Sequence, residues 1–396
     1  VYIGSLALAL ALVLVVWRAA TEAAPPVHVS RTLAVSVRLP GGAPELAWPG
    51  EGEAAVEAEG VEGALASSGA TSPVPIASVA KVMTAYLLLH EHPLSAGQQG
   101  FTIAITPADV AEEGEREQLD ESVVPVRRGE RLSEREALGA LLLPSANNIA
   151  ALLARHEGGT PSFVARMNAT ARALGMDSTT YTDPSGFEAT TVSTASDQLL
   201  LARAVMRIPA FAELVARRSI VLPVAGRVHN YNALVGSDGY VGVKTGSDAA
   251  AGGCLMFAKR ATVAGLPVTV LGVVLGQRAG ALVEAALASA QRLGDSVAAA
   301  LRVQTVLPAR SRVLSVSDDD GHHTTAASAR ALRALGWGGL AVRLNVRLRA
   351  PATRVRTGQT LARVSVAGGA TPASTVALAT HALAGPSLGW RLSHLL

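Results

Sequence analysis

One cysteine, Cys254, occurs in 396 residues. That excludes an internal disulfide, a zinc site built on several cysteines and a Cys-x-x-Cys redox pair. Set in GGCLMFAK, Cys254 reads as a small core residue of a strand. Aromatic residues make up only 4% of the chain and the formal net charge is only +3, which leaves no basic, aromatic-lined groove for nucleic acid. His-Glu-x-x-His is absent, so the zincin helix has no starting point. No cofactor or metal is called for. The acidic run SDDDGHH at 317–323 has no further ligands at a sensible spacing and reads as a solvated turn. The scarcest charged residue is lysine: of 34 basic residues only Lys81, Lys244 and Lys259 are Lys. Where a positive charge suffices this chain uses arginine, so each lysine invites the question whether a proton that can be lost is needed there.

Hydrophobic residues make up 49% of the chain, enough for a sizeable core. The one long apolar run, Ile3 to Trp17, is short for a spanning helix and has the length of a secretory h-region. Residues 1–26 are therefore expected to be a signal peptide or membrane anchor with its linker, and the protein to be exported. The alternating stretch at 27–40 reads as a strand and 49–60 as a hairpin feeding a second one, and from Pro75 to about Arg207 the chain is mainly helical. Ser133 and Glu136 form a capping box for a helix that stops before Pro144. From Tyr240 short apolar runs separated by glycines mark antiparallel strands, followed by a helix over 281–301. Strands at both ends with helices inserted between them predict an α+β domain over 27–302. The Gly/Pro/Thr-rich tail, 303–396, predicts a small β-rich domain. Lys259 matches no motif and reads as a surface residue.

Three short motifs carry chemistry. The helix PIASVAKVMTAYLLLH is apolar almost all round, yet has Lys81 in its first turn and Ser78 three residues before it. At i, i+3 the two side chains share a face. Burial and the positive end of the helix dipole disfavour the ammonium form, making Lys81 a base for the Ser78 hydroxyl. The same turn offers the Ser78 N–H to a developing oxyanion. PSANN, Pro144 to Asn148, lies in a break between helices, where Ser145 can relay a proton and Asn147 can hold a substrate carbonyl. Lys244-Thr245-Gly246 follows a strand; an ammonium and a hydroxyl beside a glycine can hold a carboxylate against a strand edge. Taken singly, each motif has an ordinary reading: a lysine snorkelling to solvent, a helix cap, a turn.

Together, in this order and 67 and 99 residues apart, they resemble the Ser-x-x-Lys, Ser-Asx-Asn and Lys-Thr-Gly set of penicillin-binding proteins and class A β-lactamases, with Ala146 where the class A β-lactamase pattern usually has Asp. The blocks PIASVAKVMTAYLLL, LLLPSANNIA, FVARMNATARALGM, TDPSGFEATTVSTASDQ and YVGVKTGSDAAAGGC resemble an actinobacterial D-alanyl-D-alanine carboxypeptidase, over about residues 45–260. The resemblance implies the serine β-lactamase/DD-peptidase-like fold: an antiparallel sheet flanked by helices with an inserted helical subdomain. It implies that Ser78 attacks the penultimate D-Ala carbonyl of a peptidoglycan stem peptide, with Lys81 as base and Ser145 as proton relay. Asn147, Lys244, Thr245 and Gly246 would bind substrate, and the N–H groups of Ser78 and Ser247 would form the oxyanion hole. β-Lactam antibiotics would acylate Ser78 as covalent inhibitors. A β-lactamase would need a deacylating Glu that 177–186 does not contain. An endopeptidase or transpeptidase on the same site, and a non-catalytic wall-binding or penicillin-sensing protein, stay open as alternatives.

Overall fold

The computed structural model describes residues 2–21, 27–61, 65–69, 71–349, 355–367, 373–383, 385 and 387–393. It divides into two units, 44–301 and 1–43 together with 302–396.

In the unit 44–301 a five-stranded antiparallel sheet runs in the order Tyr240–Asp248, Gly252–Val263, Leu266–Gln277, Glu53–Ala58, Leu65–Ser68. Its second strand opens GGCLMFA, buried throughout, because helices cover both faces. Cys254 is fully buried there, as its context predicts. On one face lies the helix Leu282–Ala300, turning Ala286, Ala290, Leu293 and Val297 inward. Against the other pack Ala195–Val205 and, behind it, the helical block. The helix Glu134–Leu142 starts at the expected capping box, with Ser133 and Glu136 exchanging bonds, a device worth about 1 kcal/mol. The helix Asn147–His156 follows after a four-residue break and buries Ile149, Leu152 and Leu153. The α+β architecture predicted from sequence is the one found.

Two expectations change. The stretch 75–93 is not one helix. A 3₁₀ turn over Ala77–Ala80 precedes the α-helix Lys81–Glu91, with Ala77 in the left-handed region at φ 45°. Residues 28–43, expected with the catalytic region, pair elsewhere. Strands His28–Arg31 and Ser36–Arg38 are too short to stand alone, and they complete a seven-stranded sheet otherwise made by Arg312–Ser317, His323–Ser328, Ser374–Ala379, Thr360–Val366 and Ala341–Leu348. They sit at opposite edges of that sheet, yet only residues 32–35 join them. Five backbone steps, Arg31 to Ser36, span at most about 18 Å, so the sheet curls to bring its two outer strands near each other.

The helix Tyr2–Thr21 belongs to the same unit as that sheet, and its Leu14, Val15, Val16 and Trp17 are exposed. Among the described residues no helix is long and apolar enough to cross a membrane. Residues 22–26 of the expected linker lie outside the described residues.

Candidate active site

The 3₁₀ turn is what joins serine to lysine. With three residues per turn, positions i and i+3 eclipse rather than stagger, and Lys81 Nζ donates to Ser78 Oγ at 2.7 Å. Nζ also donates to the Ser185 carbonyl at 2.9 Å. Lys81 is fully enclosed, and burial pushes its ammonium down to about 7, against the smaller upward pulls of Asp183 and Glu121. A lysine near 7 is neutral for much of its time at physiological pH, and a neutral Nζ at this distance can accept the serine proton.

The acceptor Ser185 is held by the 183–187 loop. Asp183 Oδ2 accepts from the N–H groups of Ser185, Gly186 and Phe187 and from Ser185 Oγ at 2.6 Å, while Oδ1 accepts from Thr191 Oγ1 at 2.6 Å. Thr84 Oγ1, from the lysine's own helix, donates to the Pro184 carbonyl at 2.6 Å. Gly186 has φ +79°, and a Cβ there would stand 1.9 Å from the Ala77 carbonyl oxygen. The loop therefore docks directly on the nucleophile turn, and only glycine permits it.

The opposite wall is the strand Tyr240–Asp248, the outer strand of its sheet. A Cβ on Gly246 would lie 2.8 Å from the Ser78 nitrogen and 3.0 Å from that of Val79. The glycine predicted to let a ligand approach also lets the strand itself reach the nucleophile turn. Ser247, next along, is exposed. Lys244 is buried and donates from Nζ to the Thr245 carbonyl at 2.9 Å. Burial first, then the ammonium of Lys81, pushes it well down. Two like charges repel, so a protonated Lys81 further disfavours the ammonium form of Lys244.

The third wall is the break before Asn147–His156. Ser145 is held at φ 67°, in the left-handed region that costs a non-glycine residue about 1–3 kcal/mol. Its Oγ is enclosed, with no hydrogen-bond partner among the described residues. Asn147 Nδ2 donates to Glu121 Oε2 at 2.6 Å, leaving its buried Oδ1 without a partner among the described residues. Glu121 in turn accepts from Arg116 Nη1 at 2.7 Å. Asn147 and Ser185 line one cavity of about 380 Å³, with Arg155, Phe187 and Glu188 among its other walls.

The predicted residues thus converge: Ser78 with Lys81 by a hydrogen bond, Gly246 by backbone packing, Lys244 through its coupling to Lys81. Asn147 faces a cavity shared with the loop that positions Lys81. Sequence reading missed Asp183, Ser185, Glu121 and Arg116, which act through partners distant in the chain; the Asp-Pro-Ser-Gly string at 183–186 is the one local signal. Lys259, read as a surface residue, is instead buried. It pairs with Asp295 at 2.9 Å and lies 4.4 Å from the Tyr240 ring centre, so its charge is matched without solvent.

Comparison with known proteins fits this arrangement. The D-alanyl-D-alanine carboxypeptidase DacB2 of Mycobacterium tuberculosis is 38% identical over 152 residues, covering 38% of this chain and 48% of that one. A D-alanyl-D-alanine endopeptidase of Escherichia coli is 32% identical over 198 residues, covering 46% and 58%. The chain thus spans about half the length of these curated relatives. A solved structure of the D-alanyl-D-alanine carboxypeptidase DacD from Francisella tularensis shares the fold, with a TM-score of 0.60 over 90% of this chain and 97% of that one, at 19% identity. The family model described as D-alanyl-D-alanine carboxypeptidase (Peptidase_S11) matches residues 54–279. That span is more than half of the chain and contains Ser78, Lys81, Ser145, Asn147 and Lys244 through Ser247, so the chain belongs to the D-alanyl-D-alanine carboxypeptidase family.

Proposed function

We propose that this protein is a serine-type D-Ala-D-Ala carboxypeptidase that removes the terminal D-Ala from peptidoglycan stem pentapeptides and is inactivated by penicillin. The observation that carries the reading is the 2.7 Å contact between Ser78 Oγ and a fully buried Lys81 whose ammonium is pushed down to about 7. With Nζ neutral, the hydroxyl donates to it, and Oγ attacks the carbonyl carbon of the penultimate D-Ala. The resulting oxyanion is received by the N–H groups of Ser78 and Ser247. On collapse the C–N bond breaks, and the proton held by Lys81 passes through Ser145 to the leaving amine. Water then releases the acyl group from Ser78. Lys244 and Thr245 hold the substrate carboxylate and Asn147 its backbone. A β-lactam follows the same first step, and its acyl group stays on the serine. Such a substrate lies outside the cytoplasm, which agrees with export signalled by the apolar N-terminal run.

The deciding experiment is covalent labelling by fluorescent penicillin together with release of free D-Ala from a pentapeptide. Wild type is expected to do both and Ser78→Ala neither; labelling that persists in a folded Ser78→Ala protein would sink the assignment. Because the Escherichia coli relative is named an endopeptidase, cleavage of a cross-linked muropeptide dimer is the second reading. Dimer cleavage faster than D-Ala release would favour it.

A further inference from the structure

The cavity beside Asn147 is longer than the reacting bond requires. Asn147, Ala151 and Arg155, at i, i+4 and i+8 on one face of the helix Asn147–His156, line one side of it, and Ser185, Phe187 and Glu188 line another. From Asn147 to Arg155 is about 12 Å along the helix, the length of about three extended residues. Its volume, about 380 Å³, is within the range of ligand-binding pockets.

The end at Asn147 is suited to a peptide backbone. Asn147 is 4% exposed, and its Oδ1 is enclosed without a partner among the described residues. A buried amide oxygen left so costs about 1–3 kcal/mol, which an N–H of a bound chain restores. With the terminal carboxylate held by Lys244 and Thr245 on the facing strand, the acyl half of the substrate leaves Ser78 toward this groove.

The charges of the groove select what kind of side chain it takes. Arg155 bonds to Asp109 at 2.6 Å and pairs with Glu112, and Arg116 bonds to Glu112 at 2.8 Å and to Glu121 at 2.7 Å. Two cations thus meet three carboxylates, and neither is left free for an anionic ligand. Glu188 is exposed, and its carboxylate has no hydrogen bond or ion pair among the described residues. Next to it Phe187 is 43% exposed, an apolar surface beside an uncommitted negative charge. That combination suits an ammonium carried on a methylene stem.

Resting on the carboxypeptidase reading, we propose that this groove binds the stem residue preceding the D-Ala pair, a diamino acid, with its side-chain ammonium on Glu188 and its methylenes on Phe187. Glu188 is then a specificity-determining residue. The side-chain amine of that residue is the one consumed when two stems are cross-linked, so Glu188 favours stems whose amine is still free.

The test compares release of D-Ala by the full chain from two peptides, Nα-acetyl-L-Lys-D-Ala-D-Ala with its side-chain ammonium free and the same peptide acetylated at Nε. Wild type is expected to prefer the free ammonium by about threefold or more in kcat/KM, the size of a half-exposed ion pair, with the difference in KM. Glu188→Gln should abolish the preference and Glu188→Lys reverse it. The acetylated peptide serves as the internal reference for each protein, and a melting curve confirms that each is folded. Equal kcat/KM for the two peptides with wild type, or a preference that survives in Glu188→Gln, overturns the proposal. Failure to release D-Ala from either peptide overturns the carboxypeptidase reading itself, and this proposal with it.

Discussion

Replacing Lys81 by Met should make the protein more stable while abolishing its acylation. Lys81 is fully enclosed and its ammonium falls from 10.5 to about 7 on folding, chiefly because burial strips it of water. At about 1.4 kcal/mol per pKa unit, housing the charged form costs on the order of 5 kcal/mol. Met fills a similar volume without charge, but leaves Ser78 Oγ and the Ser185 carbonyl without the donor they now share. The buried carbonyl loses about 1–3 kcal/mol and the half-buried hydroxyl about 1 more, so the net gain at neutral pH is roughly 1–3 kcal/mol. The pH dependence isolates the cause. Between about pH 7 and 10.5 the unfolded parent holds a proton on Lys81 that the folded parent has released, so parental stability rises through that window by up to about 1.4 kcal/mol per pH unit. Below pH 7 both states hold the proton and the full cost stands. The advantage of Met is therefore largest at and below pH 7 and fades toward 10.5. Urea melts of both proteins at pH 6.5 and pH 9, with penicillin labelling alongside, read this directly. A Met variant no more stable than the parent at pH 6.5, or an advantage that does not shrink at pH 9, refutes the argument.

Other outcomes follow from the same geometry. The acylation rate should fall as pH drops through about 7, where Lys81 takes up its proton; stopped-flow acylation across pH 5–9 shows the limb. Asp183→Asn removes the negative charge that holds the Lys81 pKa up, so that limb should move to lower pH, while weakened bonding of the 183–187 loop lowers the plateau about tenfold or more. Gly246→Ala places a methyl 2.8 Å from the Ser78 nitrogen; acylation should slow at least tenfold, with about 1–3 kcal/mol lost from urea-melt stability. Gly186→Ala meets the Ala77 carbonyl from a left-handed backbone and should be worse on both counts.

Much of the site is legible in the sequence because its chemistry is local. Ser78 with Lys81, Ser145 with Asn147, and Lys244 through Ser247 each fall within four residues, and the helix breaks and strand that present them leave Pro, Gly and capping signals. What is not legible is supplied from a distance. Nothing around Asp183 announces that its loop will receive the lysine of a helix 100 residues earlier, and Glu121 becomes significant only when folding brings Asn147 to it. The 3₁₀ turn escaped for a related reason. Its sequence is as apolar and periodic as the α-helix it precedes, and what distinguishes it is the docking of Gly186 and Gly246 on either side. Lys259 misled because its partner Asp295 and the Tyr240 ring lie on other elements. Residues 28–43 misled because an alternating strand does not name the sheet it will join.

The Ser78–Lys81 turn touches the 183–187 loop and the 240–248 strand, and Asn147, bonded to Glu121, shares a cavity with that loop. No pair of these segments lies close in the chain, so none can be assembled before the whole unit closes. A partly folded chain therefore carries a serine of ordinary reactivity, with an exposed and fully protonated lysine beside it. Covalent penicillin uptake then counts native molecules, and the labelled fraction measured during refolding should rise with the last long-range contact rather than with helix formation.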